Sequence, residues 1–445
     1  MQFKQFYLGC LAHASYYIGS NDEAAIVDPQ RDVEQYIAEA AANNQRIKYV
    51  IETHLHADFV SGHNELAEKT GAQIVFGAQA NAAFEHLAVK DGDVLTVGEV
   101  NLKIIETPGH TPEGISVIVE SAGEPDKILT GDTLFIGDVG RPDLAGGKGF
   151  TAAQMAALMY DSLHDKIMTL PDETEVYPAH GAGSLCGKNM SKETWSTIGR
   201  QRATNYALQP MTKDEFVAML TADLSKAPSY FTKSVEKNLN GAASLERLKR
   251  PPAMTANEVK SFPGVILDVR SAGEYGAAHV PNALNVGLGG QFASWSAILI
   301  ENAAPVVVVA DTEKQIEETV MRLARVGIES VAGYLLMKDW TFETARIEQI
   351  SVEEMRERLK ENDDLQFVDV RRAGEYETEH APQTVNLTLS DLDELTGKLD
   401  SSRPTYVICQ GGYRSSAATS ILEKKGFEEV YNITGGTSAW TAGEK

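Results

Sequence analysis

The sequence predicts an α/β multidomain protein, a sheet-sandwich unit of roughly 250 residues followed by two smaller parallel-sheet domains, and three observations predict it. The first is length: 445 residues, at about 100–200 per domain, make about three domains. The second is an internal repeat. VILDVRSAGEYGAAHVPNALNV, from Val265, recurs as FVDVRRAGEYETEHAPQTVNL, from Phe367. Asp268, Arg270, Glu274, Tyr275, His279, Pro281 and Asn285 thus pair with Asp369, Arg371, Glu375, Tyr376, His380, Pro382 and Asn386 at a constant offset of 101 residues. A period of that size signals a duplicated domain rather than a solenoid. The third is a series of His- and Asp-bearing motifs, each following a strand-like run, in the first half of the chain.

In the first unit, strand-like runs at 24–28, 49–54 and 73–77 alternate with amphipathic helical stretches at 33–43 and 62–70. Helical patterning dominates 152–163 and most of 192–248, and Pro251-Pro252 marks a linker. Each repeat copy reads as a short β-branched strand ending in Asp-Val-Arg, a helix opening near Ala-Gly-Glu-Tyr, and a loop with His and Pro. A second apolar run, a helix, a Gly and a terminal Trp (Trp340 and Trp440) follow. Strands alternating with helices imply a parallel sheet covered on both faces. A second boundary falls near 339–351, giving domains at 1–250, 251–345 and 351–445.

Charge excludes some partners. With 40 Lys+Arg against 63 Asp+Glu, the net charge is −23, which argues against nucleic acid, whose binding draws on phosphate neutralisation, and against an acidic membrane face. The amino terminus lacks a basic, cleavable leader and no run approaches the roughly 20 apolar residues of a membrane span. A cytoplasmic protein is expected. Cys10, Cys186 and Cys409 lie too far apart for a disulfide framework or a CxxC zinc site, and read as free thiols.

Chemistry concentrates in two places. Thr53-His54-Leu55-His56-Ala57-Asp58, Thr107-Pro108-Gly109-His110, Gly131-Asp132 and Tyr177-Pro178-Ala179-His180 all follow strand-like runs. One edge of a sandwich could therefore gather His54, His110 and Asp132 around one point, and imidazole with carboxylate suits zinc or iron. Farther on, Cys409-Gln410-Gly411-Gly412-Tyr413-Arg414 follows a buried strand and opens a helix. Backbone N–H groups, the positive helix end and the Arg414 cation all favour a thiolate there, as a nucleophile requires.

The first set resembles the metallo-β-lactamase superfamily over 1–250, which implies an αββα sandwich. Members with two metals carry His-x-His-x-Asp-His. Phe59 stands at the last position here and cannot ligate, so one metal is expected rather than a bridged pair. The remaining His54, His110 and Asp132 are a two-His, one-carboxylate set, the mark of non-haem Fe(II) oxygen chemistry. Within the superfamily, THLHADFVSGH, ETPGHTPEGIS, TGDTLFIGDVGRPDL and VYPAHGAGS resemble the persulfide dioxygenases, which convert a thiol persulfide and O2 to sulfite and thiol. That resemblance implies one Fe(II) per chain on His54, His110 and Asp132, with His56, Asp58 and His180 orienting ligands or bound water. Arg141 would face the anionic part of the substrate, the alternative being an ion pair with Asp143.

Animal enzymes that use glutathione persulfide place a tyrosine where Gly181–Ser184 stands here, so glutathione recognition is not carried over. The segment around Cys186 instead resembles bacterial fusion enzymes with a cysteine near the iron pocket. Cys186 is a candidate persulfide carrier, the alternative being an inert buried thiol, and Cys10 is expected in the core.

The second set resembles the rhodanese active loop, Cys-x4-Arg, over 351–445. Gln410, Gly411, Gly412 and Tyr413 would line the cargo sulfur beside Cys409 and Arg414. In the first copy Ala310 stands opposite Cys409 and Gln315 opposite Arg414, so that copy is expected to be inactive. The three-part order resembles bacterial persulfide dioxygenase–sulfurtransferase fusions along nearly the whole chain. It implies a relay in which one persulfide yields sulfite and Cys409 passes the outer sulfur of another to that sulfite, giving thiosulfate. The implied partners are small-molecule thiol persulfides, O2 and sulfite, with a homo-oligomer expected. The alternatives are a glyoxalase-II-like Zn thioester hydrolase with a sulfur-transfer domain, and a non-catalytic sulfur carrier.

Overall fold

Burial along each strand shows how the first unit is layered. In the computed structural model, which describes residues 1–443 apart from 189, 223, 225, 301–303 and 362–363, β1 (Gln2–Leu8) alternates exposed and half-buried positions, whereas β2 (His13–Ser20) is buried throughout. With β3 (Glu23–Val27), β4 (Arg46–Ile51), β5 (Gln73–Gly77) and β6 (Leu87–Val89) they form a six-stranded sheet in sequence order. Helices Glu34–Ala42 and His63–Thr70 are the crossovers that the parallel pairs β3/β4 and β4/β5 need.

The second sheet comprises β7 (Val94–Val97), β8 (Val100–Glu106), β9 (Ile115–Glu120), β10 (Lys127–Gly131), β13 (Glu175–Pro178) and β14 (Ser196–Thr197), in the order β14-β13-β10-β9-β8-β7. A small hairpin, β11 (Leu134–Phe135) and β12 (Asp138–Val139), follows β10. Tyr16, Ile18, Val27, Ile51, Leu102, Ile104, Val117 and Leu129 fill the space between the sheets. Tyr36 and Leu66 cover the outer face of the first sheet, and Met159 and Phe216 that of the second. The layers are helix, sheet, sheet, helix. The helical stretch expected over 192–248 resolves into helices Ile198–Thr204, Lys213–Thr221 and Tyr230–Asn240, with β14 ahead of them.

Contacts divide the chain into two compact units, Met1–Leu248 with Ala324–Gly327, and Lys249–Leu323 with Ile328–Lys445. The second holds two parallel sheets. The first copy contributes β15 (Val265–Asp268), β16 (Leu284–Asn285), β17 (Val306–Ala310) and β18 (Val331–Leu336), in the order β16-β15-β17-β18. The second copy contributes β19 (Glu348–Ile350), β20 (Gln366–Asp369), β21 (Val385–Asn386), β22 (Thr405–Ile408) and β23 (Val430–Ile433), in the order β19-β23-β22-β20-β21. Its edge strand β19 lies ahead of residue 351, because a three-residue strand leaves no readable hydrophobic period.

The repeated residues are structural in both copies. Asp268 and Asp369 pair with Arg270 and Arg371 at 2.6 and 2.8 Å. The Asn285 amide donates to the Asp268 and Arg270 carbonyls, and Asn386 does the same to Asp369 and Arg371. The copies part at their ends: Trp440 is buried in helix Gly436–Ala442, whereas Trp340 follows a single 3-10 turn, Met337–Asp339.

Candidate metal centre and cysteine loop

The four motifs of the first unit lie at strand ends. Thr53–Asp58 follows β4, His110 follows β8, Asp132 follows β10 and His180 follows β13, so the sandwich brings them to one edge. His54 Nε2 and His110 Nε2 lie 3.7 and 3.5 Å from Asp132 Oδ2, and the three ligand atoms all fall within 4.8 Å of one another. Each residue's other polar atom is already engaged. His54 Nδ1 contacts the Thr53 hydroxyl at 3.0 Å, His110 Nδ1 donates to the Arg141 carbonyl at 2.9 Å, and Asp132 Oδ1 accepts from His180 Nδ1 at 2.7 Å. His54 Nε2 and Asp132 Oδ2 are buried without a hydrogen-bond partner. Burial pushes both imidazoles below their ordinary pKa, well below for His54. Burial alone would raise Asp132, but His180 and His54 outweigh it and hold the carboxylate well below its ordinary value. Neutral imidazoles, an ionised carboxylate and orphaned atoms aimed at one point fit a metal cation.

A second metal has less to bind. Phe59 is buried against the rings of His13 and His56, at 4.3 and 4.5 Å between centroids. His56 Nε2 lies 3.2 Å from Asp28 and 3.3 Å from Glu52. Burial disfavours its charge, but those two carboxylates raise it well above its ordinary value. Asp58, His180 and Cys186 also cluster within 4.8 Å, yet His180 sits between two carboxylates, 2.9 Å from Asp58 and 2.7 Å from Asp132. Against the cost of burial, they raise it to about 10. The Cys186 thiol is buried beside the same carboxylates, and burial first, then Asp58 and Asp132, push it well above an ordinary thiol. The Arg141 guanidinium is held by Asp143 in two 2.7 Å bonds, its carbonyl accepts from His110, and its charge is among the influences that lower the His110 pKa.

In the second unit, β22 delivers Cys409 to a tight loop. Gly412, at φ +100°, turns its N–H onto Cys409 Sγ at 3.1 Å, and the Ser415 hydroxyl reaches the same sulfur at 3.3 Å. Arg414 is held by Glu375 through two bonds of 2.6 and 2.7 Å, and Gln410 accepts from Arg371 at 3.2 Å. Tyr413 points its hydroxyl at Gly287 of the first copy. In that copy β17 ends at Ala310, and Gln315 Oε1 accepts from the N–H groups of Asp311 and Thr312 at 3.0 Å each. Sequence reasoning missed Ser415 and the anchoring role of Glu375. A hydroxyl immediately after the loop arginine was the available signal for Ser415.

Residues 8–180 match the metallo-beta-lactamase superfamily, and 252–337 and 351–443 match the rhodanese-like domain. Over 214 residues the chain is 31% identical to the mitochondrial persulfide dioxygenase of Bos taurus, spanning 46% of this chain and 75% of that one. The chain belongs to the metallo-beta-lactamase superfamily. Among the superfamily's other members, it is 36% identical over 183 residues to the cytoplasmic hydroxyacylglutathione hydrolase of Arabidopsis thaliana, 40% of this chain and 67% of that one. The crystal structure of a metallo-beta-lactamase from Staphylococcus aureus subsp. aureus COL matches with a TM-score of 0.68 at 30% identity, covering 75% of this chain and 98% of that chain. The superfamily unit is thus joined in one chain to two rhodanese-like domains.

Proposed function

We propose that the chain oxidises low-molecular-weight thiol persulfides to sulfite with O2 and transfers persulfide sulfur to that sulfite, giving thiosulfate. One observation carries the reading: His54 Nε2, His110 Nε2 and Asp132 Oδ2 converge with their other polar atoms engaged, while His56 faces Asp28 and Glu52, and Phe59 fills the remaining ligand position. In that triad Fe(II) would offer open positions to O2 and a persulfide sulfur and relay to O2 the four electrons that the outer sulfur gives up, in the balance RSSH + O2 + H2O → RSH + HSO3⁻ + H⁺. The chain's own part is to fix the ligands. Thr53 and the Arg141 carbonyl set the imidazole orientations, and His180 holds Asp132. Cys186 stands as a candidate persulfide carrier beside this pocket; burial first, then Asp58 and Asp132, push its thiol up, and a cation on Asp132 would offset the last of these.

At Cys409 the thiolate attacks the outer sulfur of a persulfide, the S–S bond breaks, and the thiol portion leaves with the electron pair. A sulfite lone pair then attacks the outer sulfur of Cys409-SSH, returning the thiolate and releasing thiosulfate, so the transfer is redox-neutral. Gly412 N–H and the Ser415 hydroxyl face the sulfur throughout.

The test is O2 uptake by iron-loaded protein with a panel of persulfides, with sulfite and thiosulfate measured in parallel. Cys409→Ser should keep O2 uptake and shift product from thiosulfate to sulfite; unchanged thiosulfate removes Cys409 from the relay. The likeness to hydroxyacylglutathione hydrolase favours a second reading, thioester hydrolysis on zinc. Two zinc ions per chain after anaerobic purification, with thioester turnover and no O2 uptake, would establish it instead.

A further inference from the structure

We propose that the inactive rhodanese-like copy positions the Cys409 loop, with Asn285 and the Gly287–Gly290 turn as its positioning elements and Tyr413 as their point of contact. The proposal rests on the reading of Cys409 as the sulfur-transfer nucleophile. Helix Tyr413–Lys424 starts where the loop ends, and it buries four hydroxyl side chains, Ser415, Ser416, Thr419 and Ser420. Two of them meet the first copy. Ser416 donates to Asn285 Oδ1 at 2.6 Å, and the Asn285 backbone N–H donates to Ser420 at 3.1 Å. One turn on, Glu423 lies 3.0 Å from His279. At the other end, the Tyr413 hydroxyl donates to the Gly287 carbonyl at 2.8 Å, and its ring occupies the space where a Cβ on Gly290 would fall 2.6–2.9 Å from ring carbons.

These contacts are particular to this helix. Aligned through the strands that precede them, helix Glu313–Arg325 of the first copy carries Glu317, Met321 and Ala324 where the second has Ser416, Ser420 and Glu423. The partners on the first copy, His279 and Asn285, are repeat residues whose counterparts His380 and Asn386 are exposed and half-buried. The same motif that braces each copy internally is therefore used a second time, on the first copy only, to seat the helix behind Cys409.

The consequence falls on the sulfur. Gly412 N–H and the Ser415 hydroxyl, which face Cys409 Sγ, flank Tyr413 in sequence, so rotation or translation of the helix moves both donors. Misplacement by about 1 Å is enough to cost up to ~100-fold in rate. The first copy thus acts through the loop and touches no substrate.

The full chain with Gly290→Ala, Tyr413→Phe, Tyr413→Ser, Ser416→Ala and the double variant Gly290→Ala/Tyr413→Ser tests this, read by alkylation of Cys409 with iodoacetamide, by kcat and KM for sulfur transfer from thiosulfate to cyanide, and by Tm. Gly290→Ala should change the alkylation rate and lower kcat roughly tenfold with KM and O2 uptake unchanged, and it should add nothing to Tyr413→Ser, since it acts through that ring. Tyr413→Phe and Ser416→Ala, which each remove only one hydroxyl, should lower kcat by a few-fold at unchanged Tm. Wild-type alkylation and kcat in Gly290→Ala and Ser416→Ala, or losses that only follow Tm, would overturn the proposal. If wild-type protein transfers no sulfur, the Cys409 reading fails, while the alkylation rates still decide whether the first copy holds the loop.

Discussion

The two rhodanese-like copies share a frame and differ in what fills the turn after one strand. In both, an Asp–Arg pair and an Asn amide brace the sheet end. In the second copy, Gly412 at φ +100° lets the turn close around a sulfur atom, and donors from Gly412 and Ser415 face it. In the first, Gln315 folds back and takes the N–H groups of Asp311 and Thr312 for itself. The expected inactivity of that copy thus rests on more than the missing thiol: Glu313 and Ile316 stand where Gly412 and Ser415 supply donors to the sulfur.

The strongest way to break this comparison is transplantation. In a Cys409→Ser background, Ala310→Cys with Gln315→Arg should recover less than ~1% of sulfur transfer, because Glu313 and Ile316 stand where Gly412 and Ser415 turn donors onto the sulfur. Recovery to tens of per cent would mean that the side chains alone separate the copies. Next in size, His110→Ala should lose bound metal and at least ~100-fold in O2 uptake. Sulfur transfer from thiosulfate should stay within about twofold, since Cys409 lies in the other unit; metal analysis with both assays checks this.

Within the loop, Gly412→Ala should cost about tenfold in sulfur transfer, because φ of +100° strains any side chain. Gly411→Ala, where a Cβ meets nothing within 4 Å, should stay within about twofold. Equal effects would remove the backbone argument. The smallest effect concerns Glu375. Its burial raises its pKa, but Arg414 outweighs that and holds it below its ordinary 4.5. The ion pair therefore stabilises above pH 4.5 and is lost as pH falls through the lower folded value. Glu375→Gln should lower Tm by about 2 °C at pH 7 and by less at pH 3. Scanning calorimetry at the two pH values checks it.

Much of the fold was legible because its signals are local. The duplicated motif exposed the paired domains, and apolar runs ending in His or Asp placed His54, His110 and Asp132 at strand ends. What stayed hidden depends on contacts distant in sequence. Nothing near His56 says that it faces Asp28 instead of Asp132. The Arg141–Asp143 ion pair was legible two residues away, but nothing near Arg141 tells that its carbonyl serves His110, 31 residues earlier. Glu375 looked like a helix-start residue, as its counterpart Glu274 is through Ser271; its second task, holding Arg414, needs residues 39 positions apart. The edge strand Glu348–Ile350 was too short for any period to show.

Phe59, wedged between the rings of His13 and His56, bears on how the protein responds to scarcity and to competing ions. Under the proposed reading the triad takes one cation, and a one-cation site has no half-filled form. Dioxygenase output should then rise in direct proportion to iron supplied, with neither threshold nor cooperativity, and a single zinc ion lodged there should silence a whole chain's oxygen chemistry while leaving its sulfur handling intact.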